Sequence, residues 1–538
     1  MDEDQKDLSL PTTDMRAEVP DLGRYLLPGE RVVNVERFNI KRPDKPLSSV
    51  QALAILAGVT SSLEVGNNGP VVASRATKEN EGIDGLGLFE TPFGRDSLTV
   101  ALLLHKKYPR LTQATVKKAA ELQGVQLDLD SEEEVGKIFH EERHPDDPSV
   151  KRLIEEAHWK FPYYGSIDAT PLFIQAVGVA SKDNHNFLKE TYHGRDQQIH
   201  TFEYAFDQAV IWLEKQTAKT TDNPEGLLEF KRLNTRGGII NQSWKDSGDS
   251  YMHADGTLAN HNKGIASIEV QAQAYDSFLN AAEVYEQLRH VVTDEQREVY
   301  GAKVQRLRAK ALDIRQKVLD IFWNEDERGG YFALGTDRDE QGDIRPLQVR
   351  SSNMGRLLNS RIFDGNDPEI VHKREAVIRT LFSDEMLAAS GIRTLSNREV
   401  RFRPGAYHNG SVWLFDTYLI ALGLERHSYY GLAESLKERI GNVVTKFNKF
   451  PEFARGGDEE EPMLNERIVD IFDENTGSYN RIEQPPQEIQ AWSVASVVAE
   501  KFDRNPLRSH LPKLTSAIDW GKRQLELELL TTHVLRAA

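Results

Sequence analysis

The chain has 538 residues, is 39% hydrophobic and 28% charged, carries a net charge of −17 and contains no cysteine. Such acidity repels phosphate backbones and polyanionic substrates, which argues against a nucleic-acid partner and leaves a neutral substrate unpenalised. Without cysteine there are no disulfides, thiol nucleophiles or thiolate metal sites, and a reducing compartment suits the chain.

The N-terminal residues MDEDQKDLSL lack the apolar stretch of a secretory signal. No apolar run is long enough to span a bilayer. A cytoplasmic protein with no membrane partner is therefore expected. Residues 1–48 form an N-terminal extension without sustained periodicity, in which Val32-Val33-Asn34-Val35-Glu36-Arg37-Phe38 reads as one strand, packed in cis or completed by another chain.

From 49 to 505 the pattern is helical. Apolar residues recur at helical spacing at Phe202, Phe206, Ala209 and Leu213, and again at Val270, Ala274, Phe278, Ala281, Tyr285 and Leu288. The same holds for Leu307, Ala311, Ile314, Val318 and Ile321, and for Leu432, Leu436, Ile440, Val443 and Phe447. These stripes predict packed helix faces. Residues 506–538, after the breaker Asn505-Pro506, read as a C-terminal helical appendage. Between Asp128 and Glu134, and on through Pro145-Asp146-Asp147-Pro148, the acidic run predicts a solvated surface excursion.

Polar, aromatic loops punctuate the helices. Glu90–Ser97, Phe161–Asp168, Tyr407–Trp413 and Glu488–Ser493 each precede or open a helix. Functional residues concentrate on loops held by a rigid scaffold. Regular loops between a dozen or so helices predict an all-α toroid of helix pairs, with one end converging on a pocket.

Two loop carboxylates stand out. Asp246, in Trp244-Lys245-Asp246, has an indole neighbour whose desolvation would raise a general acid, or it caps a helix. Glu452, in Phe450-Pro451-Glu452-Phe453, reads as a base in an apolar setting or as a solvated loop residue. Together they suit hydrolysis of a sugar–sugar bond, one protonating the leaving oxygen and the other activating water. Arg95-Asp96 reads as a sugar clamp or a structural ion pair. Tyr163, Tyr164, Trp413 and Trp492 read as stacking platforms or core.

His140-Glu141-Glu142-Arg143-His144 matches the zinc-peptidase pattern, which needs a helix and a third ligand. Pro145 and Pro148 predict that a helix ends inside the motif, so the peptidase remains a remote alternative. The sequons at Asn241 and Asn409 fall inside the candidate loops, where glycans would block the site, and this favours a bacterial-type cytosol.

As an ordered set these loops resemble the glucosidase domain of glycogen-debranching enzymes and the bacterial amylo-α-1,6-glucosidase-like family, among the glucoamylase-like six-hairpin glycosidases. The matching segments run from Phe93-Gly94-Arg95-Asp96-Ser97 through Ile138–Glu141, Tyr163–Leu172, Asn241–Ser247, Tyr407–Trp413 and Phe450–Glu452 to Gln490-Ala491-Trp492. The resemblance implies an (α/α)6 toroid over 49–505 and an inverting, exo-acting glycoside hydrolase that removes a terminal α-linked sugar, glucose by analogy, from a neutral oligosaccharide or glycoside. In that reading Asp246 is the acid and Glu452 the base. Arg95, Asp96, Glu141, Tyr163, Asp168, Trp244, Lys245, His408, Asn409, Trp413, Gln490 and Trp492 hold substrate, and neither metal nor cofactor is needed. The chain departs from the family at Phe450-Pro451-Glu452-Phe453 and at Gln484-Pro485-Pro486-Gln487-Glu488, both beside the expected base. A sugar phosphorylase or epimerase, or a carbohydrate-binding protein without turnover, would share the toroid.

Overall fold

The computed structural model describes residues 73–504 apart from 76–88, 90, 107, 145–147, 185, 291 and 474–477. The extension 1–48 with its expected strand, and the appendage 506–538, lie outside the described residues. Among the described residues eleven α-helices follow in chain order: α1 (Gly94–Leu104), α2 (Pro109–Glu121), α3 (Pro148–Glu155), α4 (Ala169–Asp183), α5 (Phe202–Gln216), α6 (Ile268–Leu288), α7 (Asp294–Ile321), α8 (Pro368–Leu381), α9 (Leu414–Arg426), α10 (Tyr430–Phe447) and α11 (Ala491–Arg504). A 3-10 helix at Ser352–Asn359 lies between α7 and α8.

Local chemistry sets several helix starts. Thr201 caps α5 by accepting from the Tyr204 amide. Thr293 and Gln296 close a reciprocal capping box on α7. Asp367 caps α8, with Pro368 at its first position.

Packing closes these elements into a ring. α1 packs on α4, α4 on α6, α6 on the 3-10 helix, the 3-10 helix on α9, α9 on α11, and α11 back on α1. Outside it, α2, α5, α7, α8 and α10 pack on α1, α4, α6, the 3-10 helix and α9 in turn. This is an (α/α)6 toroid. Burial separates the two layers. Outer α7 buries Leu307, Ala311, Ile314 and Val318 as its periodicity predicts, with Val304 added and Ile321 only partly buried. Inner α9 buries an unbroken run from Leu414 to Ala421. The inner helices also bury polar groups, among them Thr99, Gln271 and Asp416, which ordinary core helices exclude. Each fully buried Leu or Phe contributes roughly 1.5–3 kcal/mol. Most strands are short pairs that tie loops together, such as Val412-Trp413 against Phe453-Ala454, and one sheet has three, Ala266–Ser267, Gly335–Arg338 and Ile344–Leu347. No helix among the described residues is long and apolar enough to cross a membrane.

The acidic excursion differs from expectation. Asp130 is exposed, but Glu132 and Glu133 turn inward and are buried. Glu132 accepts from the Tyr163 hydroxyl at 3.0 Å, from Gln242 Nε2 at 2.6 Å and from the Leu233 amide at 3.1 Å. Glu133 meets Arg195 at 2.7 Å. Partners far away in sequence outweigh the solvation of a charge run.

Candidate active site

Loops at the N-terminal ends of the inner helices build one pocket, lined by Phe93, Arg95, Asp96, Trp244, Asp246, Tyr407, His408, Trp413, Glu452, Gln490 and Trp492, with Ala73 and Phe89 at its edge. The space left among them is about 40 Å³. That is room for a few waters, so a pyranose enters only as the walls part.

α1 starts where it does because Gly94 lies against the Phe139 carbonyl, where a Cβ would come within 2.1 Å. Its first turn then delivers Arg95 and Asp96 to the pocket floor. Arg95 Nε donates to Asp168 Oδ2 at 2.7 Å, Nη1 to Asp246 Oδ2 at 3.3 Å and Nη2 to the Ser243 carbonyl at 2.8 Å. Asp96 accepts from Gln490 Nε2 at 3.2 Å. Burial pushes Asp96 up to about 8 against the opposing pull of Arg95.

Asp246 keeps part of its carboxyl in contact with solvent, at 29% side-chain exposure. Burial raises it to about 6, with Arg95 pulling the other way. It caps no helix. Glu452 is buried. The Tyr407 hydroxyl donates to its Oε1, and the Gln487 amide donates to Oε2 at 3.2 Å. Burial raises Glu452 to about 7, and these two donors oppose that rise. Glu452 holds its place because Phe450 bridges Ile489 in parallel and the Glu452 amide donates to the Gln487 carbonyl. The divergent Gln484–Glu488 stretch therefore supports Glu452 directly.

Aromatic rings make the walls. Trp244 meets His408, Trp413 and Phe415 edge-on, with centroids 5.5, 5.8 and 5.3 Å apart. Trp413 stacks on His408 at 5.2 Å, and Trp492 on Phe415 at 3.9 Å. Burial, with Lys245 and Arg95 nearby, holds His408 well below its usual range and so neutral. Its Nδ1 accepts from the Ser247 amide at 3.3 Å. Trp244 Nε1, Trp492 Nε1, His408 Nε2 and Gln490 Oε1 are buried here without a hydrogen-bond partner. Unpaired polar atoms are costly inside a fold, and four around one pocket mark a site for a hydroxyl-rich guest.

Of the substrate-holding residues expected from the sequence, Arg95, Asp96, Trp244, His408, Trp413, Gln490 and Trp492 line the pocket, and Asp168, Glu141, Tyr163, Lys245 and Asn409 stand behind it. Asp168 orients Arg95 and accepts from Ser166 Oγ at 2.7 Å. Glu141 pairs with Arg143. Tyr163 carries the loop above it, accepting from the Ile239 amide at 2.8 Å and donating to Glu132. Asn409 Nδ2 donates to the Asp249 carbonyl at 3.0 Å. Lys245 is fully buried and donates to the Thr394 carbonyl. Burial lowers it to about 8. Lys245 alternates away from Trp244 and Asp246 along the chain, which sends its side chain into the body.

The His140–His144 segment is not helical: Glu141 bridges Phe93 on one side and Tyr163 on the other. The His140 ring is wedged edge-on between Phe93 and Tyr163 at 5.3 and 5.8 Å. The helix that a zinc peptidase requires is not formed. Two contributors escaped the sequence reading of roles. Tyr407 had a signal in its place beside His408, whereas the Gln487 amide had none.

Comparison with known proteins gives the lineage. A family model described as "Mannosylglycerate hydrolase MGH1-like glycoside hydrolase domain" matches residues 184–455, a span that holds Asp246 and Glu452 but not Arg95, Asp96 or Asp168. No curated protein sequence matches the chain. Among solved structures, a GH63 mannosylglycerate hydrolase from Thermus thermophilus in complex with Tris is similar over 84% of this chain and 100% of that one, at 11% identity and a TM-score of 0.50. A bacterial glucoamylase complexed with acarbose is similar over 88% of this chain and 57% of its own, at 13% identity and a TM-score of 0.51. Both likenesses are of fold. With the family model spanning more than half its length, the chain belongs to the mannosylglycerate hydrolase MGH1-like glycoside hydrolases.

Proposed function

We propose that the protein is an exo-acting, inverting glycoside hydrolase that removes a terminal α-linked hexose from a small glycoside. Asp246 protonates the glycosidic oxygen as its bond to the anomeric carbon breaks. Glu452 takes a proton from the water that attacks that carbon from the opposite face, and the sugar leaves with inverted configuration. Arg95 sets Asp246 and Asp168, and Asp96 accepts hydroxyl protons from the terminal sugar. Tyr407 and the Gln487 amide hold the base ready.

One observation carries this reading. Two carboxyl groups from distant loops border the same small pocket, and both are displaced towards neutrality, to about 6 and about 7. Pairs of this kind are how one site runs acid and base chemistry together. The family's name points to mannosides of small organic acids and the loop resemblance points to glucosides. The test is a panel of α-glucosides and α-mannosides, glycerate conjugates included, with Asp246→Asn and Glu452→Gln as controls. Turnover by the wild type, lost in both variants with folding intact, supports the assignment. Near-normal rates in both variants would refute it.

A further inference from the structure

A second cavity, of about 300 Å³, runs along the toroid axis and shares no lining residue with the catalytic pocket. Every inner element borders it: Thr99 of α1, Leu172 of α4, Glu269 of α6, Arg356 of the 3-10 helix, Tyr418 of α9 and Ala499 of α11. Its size is at the lower end of small-molecule pockets, roughly 300–1,000 Å³. Leu102, Leu103, Leu419 and Leu422 supply an apolar wall.

Glu269 is the unusual member. It is 1% exposed. Its Oε2 accepts from the Ser267 hydroxyl and from Asn353 Nδ2 at 2.8 Å, both neutral donors. Its Oε1 is buried with no hydrogen-bond partner. One helical turn on, Gln273 Oε1 borders the same cavity and also lacks a partner. The other acidic group on this wall is engaged: Asp276 meets Arg361 at 3.3 Å. Arg356 is engaged likewise, with Asp416 at 3.1 Å. Buried charges are ordinarily paired. Two unmatched acceptors at i and i+4 call for a guest rich in donors and poor in acceptors. An ammonium group has three donors and no acceptor.

We propose that the axial cavity is a binding site for a small primary alkylammonium ion, its head on Glu269 Oε1 and Gln273 Oε1 and its chain along the leucine wall. The charged groups around Glu269 are Lys106 from α1, Asp276 on its own helix, Arg356 from the 3-10 helix, Asp416 from α9 and Lys245 from the loop above. α4 presents Gln175 and α11 presents Ala499. Burial raises Glu269 above its usual range. The incoming cation favours the ionised form of Glu269 and so opposes the effect of burial.

The test is titration calorimetry of the full chain with n-pentylammonium chloride. The same titration of the Asp246→Asn/Glu452→Gln double variant separates this cavity from the catalytic pocket. The expected result is saturable binding kept by the double variant and weakened at least about tenfold in Glu269→Gln. If Glu269→Gln does not fold, Ala272→Leu narrows the cavity while keeping the carboxyl and should also lose binding. No saturation up to concentrations on the order of 10 mM, binding unchanged in Glu269→Gln or Ala272→Leu, or binding lost only in the double variant would overturn the proposal.

Discussion

Tyr407→Phe removes a single oxygen from the buried floor beside Glu452. In the wild type that hydroxyl donates to Glu452 Oε1 and stabilises the carboxylate. A hydrogen bond to a charged group is worth about 1.5–3 kcal/mol, and one pKa unit corresponds to about 1.4 kcal/mol. Losing the donor should therefore raise Glu452 by roughly one to two units from about 7. The direction follows from chemistry: the donor favours the ionised form, so its removal makes the proton harder to lose. In the free enzyme kcat/KM should be bell-shaped, with limbs near about 6 and about 7 that belong to the interacting pair. In the proposed mechanism the reactive form holds its proton on Asp246. With Glu452 a unit higher, that is the minor singly protonated form, about a tenth of the total. Tyr407→Phe should move the upper limb up by roughly one to two units and lower the peak roughly 10- to 100-fold. Stopped assays across pH on a cleaved glycoside give both numbers. A variant with wild-type limbs and peak height would refute the contact's role in tuning the base.

Asp246→Asn and Glu452→Gln should each lower turnover by roughly 10²- to 10⁴-fold while circular dichroism stays native. Arg95→Met leaves Asp168 buried without its cation partner. Denaturant unfolding should show a loss of about 3–5 kcal/mol, and an unchanged midpoint would contradict the ion-pair account. Phe173→Ala empties a fully buried position of the inner ring. It should cost about 3–5 kcal/mol, and a loss well under 1 kcal/mol would mean the core collapses to fill the space.

The helical stripes were the most legible part of the fold, since the outer helices bury the faces their spacing predicts. Along outer α5 every residue of the Phe202–Leu213 stripe is buried. The inner helices were harder, because burial on all sides erases periodicity. Loop chemistry picked out Asp246, Glu452, Arg95 and the tryptophans because polar residues beside aromatic rings are unusual outside sites. What it could not separate was the layer touching the pocket from the layer behind it. Lys245 and Asn409 lie within the same motifs as their neighbours, and only side-chain direction distinguishes them. The inward turn of Glu132 was equally hidden, since its partners Tyr163 and Gln242 lie far along the chain.

The central claim is the opposed action of Asp246 and Glu452 across one glycosidic bond. Proton NMR of the sugar released from an α-glycoside, recorded before mutarotation, tests it most directly. The account predicts the β-anomer as the first product, whereas early release of the α-anomer would mean a retaining reaction and contradict the assignment of Glu452 as the base that activates water.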